Sequence, residues 1–411
     1  MSLDAVPLLL ALVGLALYVV LGGADFGAGF WQLLARGRER GAAVREHAHA
    51  AMAPVWEANH VWLIFVLVVM WTCYPVAFGS IVSTLAVPLF IAAIGIIFRG
   101  TAYALRAGTT RAREQRAVDT VFGVSSVLTP FALGTVVGAI ADQAVPVGNA
   151  AGNLWTSWTG ALPLTIGVLA VALGAYLAAV YLAADAVRRD APELESAFRW
   201  RALAAGVLAG ALAVAGLLVV RSEARGLFDD LVGEALPALI VSGTAGVGTL
   251  ALVWRRRYEP ARYSAAVAVA AVVAGWAIAQ QPVLLPGLTV SEAAAGDDTL
   301  IAVLVSVGAG ALLLAPSLVF LFTLTLRGRL SYEESDAAGA PTTPVGPAHA
   351  LSAARSGLLA RVALACLILT LGFLTLADAG WAHAVGVVTL LAAVVTGFRA
   401  ALPVDEPAGS D

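Results

Sequence analysis

Apolar runs of roughly 20 residues recur from one end of this chain to the other, each long enough to cross about 30 Å of hydrocarbon as a helix. With no water inside a bilayer to satisfy exposed peptide groups, such a chain has two solutions, α-helices or a closed barrel. Barrel strands alternate polar and apolar residues, and these runs do not. A single large soluble core is excluded as well. Of the 411 residues, 60% are hydrophobic and only 12% charged, against about 25% charged in soluble domains. The predicted fold class is therefore all-α, a polytopic transmembrane helix bundle.

Polar breaks divide the apolar runs into nine core spans, at 5–33, 55–78, 81–98, 118–140, 160–184, 202–220, 236–254, 263–281 and 299–326. Residues 1–331 form this core. A stretch rich in Pro, Gly, Ala and Ser follows at 332–356, which reads as a flexible linker. Two further spans near 358–376 and 381–398 make residues 357–411 a C-terminal two-helix extension. No Lys or Arg precedes the first apolar run and no small-x-small cleavage site follows it, so it reads as a retained span rather than a signal peptide.

All 24 basic residues are arginines, and their placement tests the span order. Cytoplasmic loops should hold the excess of positive charge. The segments after spans 1, 3, 5, 7 and 9 hold four, five, four, four and four arginines, and the C-terminal tail holds Arg399. On the other side only Arg221 and Arg225 occur, after span 6. This alternation predicts eleven spans, with the N-terminus outside and the C-terminus in the cytoplasm. The arginines lie in short loops rather than one patch and the formal net charge is −3, so no nucleic-acid-binding surface is indicated.

Few ionisable groups fall well inside a span: Asp25 in the first, Glu57 and His60 in the second. Arg99, Asp119, Asp142, Asp185, Asp378 and His383 lie nearer span ends. A charge at mid-bilayer costs about 2.5–3.5 kcal/mol on insertion scales, so such groups usually face a protein interior or water and mark a functional path. Span 1 runs inward with Asp25 late in it, and span 2 runs outward with Glu57 early in it. Both acids are thus expected toward the cytoplasmic side. Trp56, Glu57, Asn59 and His60 share one helical face and can form a connected polar stripe. Around Asp25, Gly22, Gly23, Gly27 and Gly29 let the backbone break or approach a neighbour, giving the carboxyl main-chain or water partners. Acids and imidazoles in such surroundings can exchange protons near neutral pH. The competing reading is that Glu57 and Asn59 merely cap helix 2 after Pro54.

Metal and haem chemistry find little support in the residue inventory. His60 and His383 are the histidines in or near spans, and Met52 and Met70 the methionines besides Met1, too few for several haems with two axial ligands each, though enough for a single one. His47 and His49 stand two apart with Glu46 and no third histidine nearby, which reads as a solvated loop rather than a metal site. Cys73 and Cys366 lie inside apolar runs without C-x-x-C spacing and read as packing residues. No P-loop, G-x-S-x-G or H-E-x-x-H occurs, and the glycine triplets inside spans read as helix-packing positions.

The pieces "GGADFGAGFW", "APVWEANHVWLIFVLVVMWTCYPVAFG", "IIFRG", "VFGVSSVLTPFALGTVVG", "GAYLAAVYLAADA" and "GWAIAQQPVLLPG" occur in this order through the nine-span region. Together they resemble subunit II of the cytochrome bd-type quinol oxidases. The resemblance implies a heterodimer with subunit I in the bacterial cytoplasmic membrane, reducing oxygen to water in the respiratory chain. It places haems b558, b595 and d and the quinol-oxidising loop in subunit I, and none of those haems in this chain. Asp25 and Glu57 match the family's acids of spans 1 and 2, a proton route from the cytoplasm toward the haems. Asn59, Trp62 and Arg99 match family residues, whereas His60 stands where Gln or Glu is frequent. Some members carry a further Asp where this chain has Gly22, which implies a missing step or a water in its place. The resemblance also allows a structural quinone, an oxygen route and a small accessory subunit, without residues assigned here to any of them. It offers no role for the C-terminal pair of spans. Many spans with a few buried acids also describe a secondary or proton-coupled transporter, and that alternative stays open at this point.

Overall fold

The structure, a computed structural model, describes residues 2–35, 39–52, 56–106, 108–109, 111–326, 359, 361–366, 369–370 and 380–401. The side chains of Trp56 and Glu57 and of residues 313–326 fall outside the described part. The chain divides into two compact units, Met1–Val319 and Phe320–Asp411. Among the described residues, seven helices are long and apolar enough to cross a membrane, in keeping with an all-α transmembrane bundle.

The first span is continuous but not uniform. Helix α1 (Val6–Leu17) passes through a π-helical turn at Tyr18–Gly22 into α2 (Gly23–Leu34). A π turn widens the helix by one residue and shifts the carbonyls that follow, a feature often found at functional sites. The predicted loop around His47 is instead helix α3 (Glu39–Met52). Its Ala, Arg and Glu residues favour helix, but 14 residues alone are marginal in water. Tertiary contact completes the stability: Val44, His47 and Ala48 are buried, and a ring nitrogen of His47 lies 3.0 Å from the Leu182 carbonyl oxygen. The solvated-loop reading of His47 is therefore corrected.

The second and third spans also begin and end elsewhere than expected. Helix α4 (Trp56–Cys73) stops before Tyr74, a short helix α5 (Pro75–Thr84) intervenes, and α6 (Ala86–Arg106) follows. Pro75 at the first helical position cannot continue α4 but starts α5 well. The Tyr74 hydroxyl accepts from the Leu8 N–H and donates to the Asp4 carbonyl, which fixes the break. Gly79 and Ser80, between the spans expected at 55–78 and 81–98, lie within α5. The consequence is that Arg99 lies inside α6 rather than closing a span.

Five helices complete the bundle: α7 (Ala112–Ala141), α8 (Ala161–Arg188), α9 (Pro192–Glu223), α11 (Leu236–Trp254) and α12 (Tyr258–Gln280), with a short α10 (Arg225–Val232) between the third and fourth of these. A small hairpin of β1 (Val283–Leu285) and β2 (Leu288–Thr289) leads through α13 (Val290–Ala293) to α14 (Asp297–Leu326). Helix α9 begins ten residues before the expected span, and its buried Glu195 accepts the hydroxyl of Tyr258 at the start of α12. The centre of the unit is α2, packed against α7 and α8. A Cβ at Gly27 would lie 1.9 Å from the Gly174 carbonyl oxygen of α8, so only glycine permits this approach. Large apolar side chains such as Val207, Leu218, Ile240 and Val247 remain exposed, as a surface facing lipid requires.

The second unit contains α15 (Gly380–Ala401), where the span at 381–398 was expected. Residues 361–366 are also helical, and the Thr370 and Thr389 hydroxyls hydrogen-bond at 2.9 Å. The expected linker at 332–356 lies outside the described residues.

Candidate functional site

Asp25 occupies the first turn of α2, directly after the π turn, and is 6% exposed. Its partner is neither main chain nor water alone, as its glycine-rich surroundings suggested, but the guanidinium of Arg99. Arg99 Nη1 donates to Asp25 Oδ2 at 2.6 Å and Nη2 to Oδ1 at 2.7 Å, with a further bond from Nη2 to the Asp25 carbonyl at 3.1 Å. Nε of Arg99 donates to the Ser126 hydroxyl at 3.0 Å. The guanidinium carbon sits 4.7 Å from the ring centres of Phe26 and Phe122. Two-point pairing to a carboxylate with aromatic faces alongside suits arginine and not lysine. A Cβ at Gly29 would lie 2.1 Å from the Ser126 hydroxyl oxygen, so this glycine lets α2 and α7 close around the pair.

Asn59 and His60 arrive from α4 against the π turn. Asn59 is 1% exposed, and its amide donates to the Leu21 carbonyl at 3.3 Å. Its Oδ1 is buried with no hydrogen-bond partner among the described residues. The half-buried His60 ring meets Tyr18 and Phe26 edge-on, each 6.4 Å away between ring centres. Tyr18 also accounts for Gly22, since a Cβ there would meet the Tyr18 ring at 3.2 Å. The space that an acid at this position would need is filled by the phenol. The helix therefore brings Asn59 and His60 to the neighbourhood of Asp25. The side chains of Glu57 and Trp56 lie outside the described residues, and Trp62 is half-buried on the same helix.

Below this layer, toward the arginine-bearing helix ends, lies a second one on the same three helices. Gln32 is seven residues beyond Asp25 on α2, Arg106 seven beyond Arg99 on α6, and Asp119 seven before Ser126 on α7. Gln32 Nε2 donates to Asp119 Oδ1 at 3.0 Å, and Arg106 Nε lies 3.5 Å from the same oxygen. Arg106 reaches Glu46 on α3 at 3.3 Å. The His49 ring sits 5.2 Å from that of Tyr103, and its pKa is lowered, first by burial and then by the Arg106 charge.

A cleft of about 180 Å³ opens beside Asp25, lined at its inner end by Asp25 and Asn59 and at its outer end by Asp185, Arg188 and Arg262. Asp185 Oδ1 accepts from Arg188 Nη2 at 2.9 Å. Its Oδ2 lies 3.2 Å from Arg189 Nε without the alignment of a hydrogen bond. Sequence reasoning treated Asp185 as an ordinary span-end residue and missed Ser126, Tyr18 and the pairing role of Arg99. One available signal was the repeated spacing of seven between polar residues on spans 1, 3 and 4, which puts each pair on one helix face two turns apart.

Similarity to known proteins agrees with this architecture. The family profile for cytochrome bd terminal oxidase subunit II matches residues 3–325. A protein of Bacillus subtilis (strain 168) assigned as a cytochrome bd menaquinol oxidase subunit II is 23% identical over 227 residues, which are 53% of this chain and 62% of that relative's length. The bd oxidase structure from Geobacillus thermodenitrificans contains a chain that superposes with a TM-score of 0.63 at 25% identity, over 79% of this chain and 99% of that one. The chain belongs to the cytochrome bd terminal oxidase subunit II family.

Proposed function

We propose that this chain is the haem-free subunit II of a quinol:oxygen oxidoreductase in the bacterial cytoplasmic membrane, and that it carries protons from the cytoplasmic side toward an oxygen-reducing site in subunit I. The observation that carries this reading is the buried Asp25–Arg99 pair at the inner end of a cleft whose outer end is charged. A buried charge is expensive in this setting and normally marks a path. Oxygen reduction consumes protons, and these cannot reach a site inside lipid without titratable side chains or water. Glu57, which shares a helical face with Asn59 and His60, is the relay, and Asp25, held by Arg99 through both oxygens, orders water beside it. Protons drawn from the cytoplasm, while quinol releases its own outside, leave charge separated without a pump.

The haems b558, b595 and d belong on this reading to subunit I, where they supply the electron transfer and oxygen chemistry. The residue inventory supports that division: His60 and His383 are the histidines in or near spans and Met52 and Met70 the methionines besides Met1, too few for several haems with two axial ligands each. The donor is a quinol, the class named for the Bacillus relative. Residues 1–331 form the oxidase core and 357–411 an appendage, a division supported by a family match that ends at residue 325. Truncation after Ser331 is expected to leave turnover per assembled complex unchanged.

The test is oxygen consumption by the complex copurified with its partner, with haem content measured on the same samples. Glu57→Gln should lower turnover with haem content intact, and Glu57→Asp should retain much of it. Gln keeps the shape and hydrogen-bonding capacity of a capping residue, so a cap would tolerate it at about 1 kcal/mol or less. Full turnover in the Gln variant would contradict the relay.

A further inference from the structure

We propose that the cleft between α2 and α8 is a hydrated inlet through which protons enter from the arginine-bearing side, with Asp185 as the collecting carboxylate and the Asn59 amide oxygen as the inner water ligand. This rests on the proton-route reading and names its entrance.

The walls of the cleft follow two helical faces. Leu21, Ala24, Asp25 and Ala28 fall at helical spacing along the first span, and Ala178, Leu182 and Asp185 do so on α8. Charged groups lie at the ends, and the wall between is small or apolar except for Tyr181, whose ring carries the Arg262 guanidinium 5.0 Å from its centre near the outer end. From Ala178 to Asp185 is seven residues of helix, a rise of about 10 Å. At a hydrogen-bond spacing of roughly 2.8 Å, that length holds a short chain of about three or four waters. The inner end demands such a ligand independently. Asn59 Oδ1 is a buried acceptor that no described group satisfies, and an ordered water is the usual partner of a buried polar atom in that position. With few polar groups along the wall, the waters bond mainly to one another, which lets them reorient and pass protons along the chain.

The outer end is built to gather and release protons. Asp185 is 18% exposed at its side chain and is flanked by Arg188, the last residue of its helix, and by Arg189 just beyond it. On α12, Glu259 lies 3.3 Å from Arg188 and 3.6 Å from Arg262. The mouth thus presents two carboxylates among three guanidinium groups at the membrane surface. The rival entrance, through Gln32, Asp119 and Arg106, is obstructed by packing. The Phe122 ring lies against the Arg99 guanidinium, and a Cβ at Gly29 would meet that ring at 3.1 Å, so a side chain stands between α2 and α7 at this level.

The experiment uses the whole oxidase complex in vesicles and measures proton uptake together with oxygen consumption and haem content. Asp185→Asn is expected to slow proton uptake about tenfold, the loss of a local proton-collecting charge. Asp185→Glu should restore it, and adding a small weak acid such as formic acid at fixed pH should accelerate the Asn variant. A purely structural Asp185 would not respond to added acid. If the Asn variant does not assemble, Ala24→Leu, which fills the apolar middle without touching a charge, should slow uptake with haem content intact. Uptake at the unmodified rate in Asp185→Asn or Ala24→Leu, with Glu57→Gln slow, overturns the inlet and leaves the route standing. Unmodified rates in all three overturn the route itself. An Asn variant slowed but insensitive both to added acid and to replacement by Glu also overturns the inlet.

Discussion

The two polar layers on α2, α6 and α7 repeat at the same spacing yet are built differently. In the inner layer both charged side chains are at most 5% exposed, the carboxylate is gripped through both oxygens, and two aromatic rings and a hydroxyl complete the shell around the guanidinium. In the outer layer Asp119 is shared between an amide and a guanidinium through one oxygen. Arg106 turns toward a Glu46 that is 73% exposed. Gln32 Oε1 and Arg106 Nη1 are buried there without hydrogen-bond partners among the described residues. A donor and an acceptor orphaned in one network describe a place for water. The contrast teaches that spacing on helices decides which groups meet, whereas depth decides how completely they must be satisfied.

The largest break of this contrast is Asp25→Asn. It leaves the Arg99 guanidinium buried without its counter-charge, and losing one partner of a buried pair is worth about 3–5 kcal/mol. Loss of assembled, haem-containing complex and a lower thermal inactivation temperature are expected. A smaller break is Gly29→Ala, which places a methyl group 2.1 Å from the Ser126 oxygen. Overpacking of this kind costs about 1–3 kcal/mol, and should appear as a lower inactivation temperature with haem content retained. Arg106→Gln in the outer layer should cost less, about 1 kcal/mol, since Glu46 is in solvent and Asp119 keeps the Gln32 amide as a partner.

The pH dependence of the outer layer gives the smallest effect and has a definite sign. His49 has a lowered pKa in the folded protein, through burial first and Arg106 second. As pH falls below the ordinary histidine value of about 6.5, the unfolded chain takes up the proton before the folded one, so stability drops. His49→Gln should flatten that drop and Arg106→Gln should reduce it, as measured by inactivation temperature between pH 7.5 and 5.5 (roughly one unit either side of that value). A drop unchanged in both variants would remove His49 from the network.

The bundle class was legible because the length and apolarity of the runs leave few alternatives in lipid. Asp25, Asn59 and His60 were legible because polar groups inside such runs are rare. Arg99 was seen but misplaced. The boundary of α6 depends on the Tyr74 clasp and the start of α5 at Pro75, and these involve Asp4 and Leu8, far away in sequence. Its pairing across 74 positions to Asp25 is a tertiary fact that helix periodicity does not contain. His47 was misread because a polar composition matches both a solvated loop and a helix docked on one face. The cleft arises from small residues on two helices that face each other, and only their packing shows which ones do.

The most direct test of the central claim measures the side and the rate of proton uptake. The complex would be oriented in vesicles with a pH-sensitive dye on the arginine-bearing side, and oxygen would be admitted to the reduced protein. Alkalinisation on that side in step with oxygen consumption, and a slowed phase in Glu57→Gln at unchanged haem content, are expected. Alkalinisation at the same rate in Glu57→Gln, or its appearance on the opposite side, would contradict the claim that this subunit carries the protons.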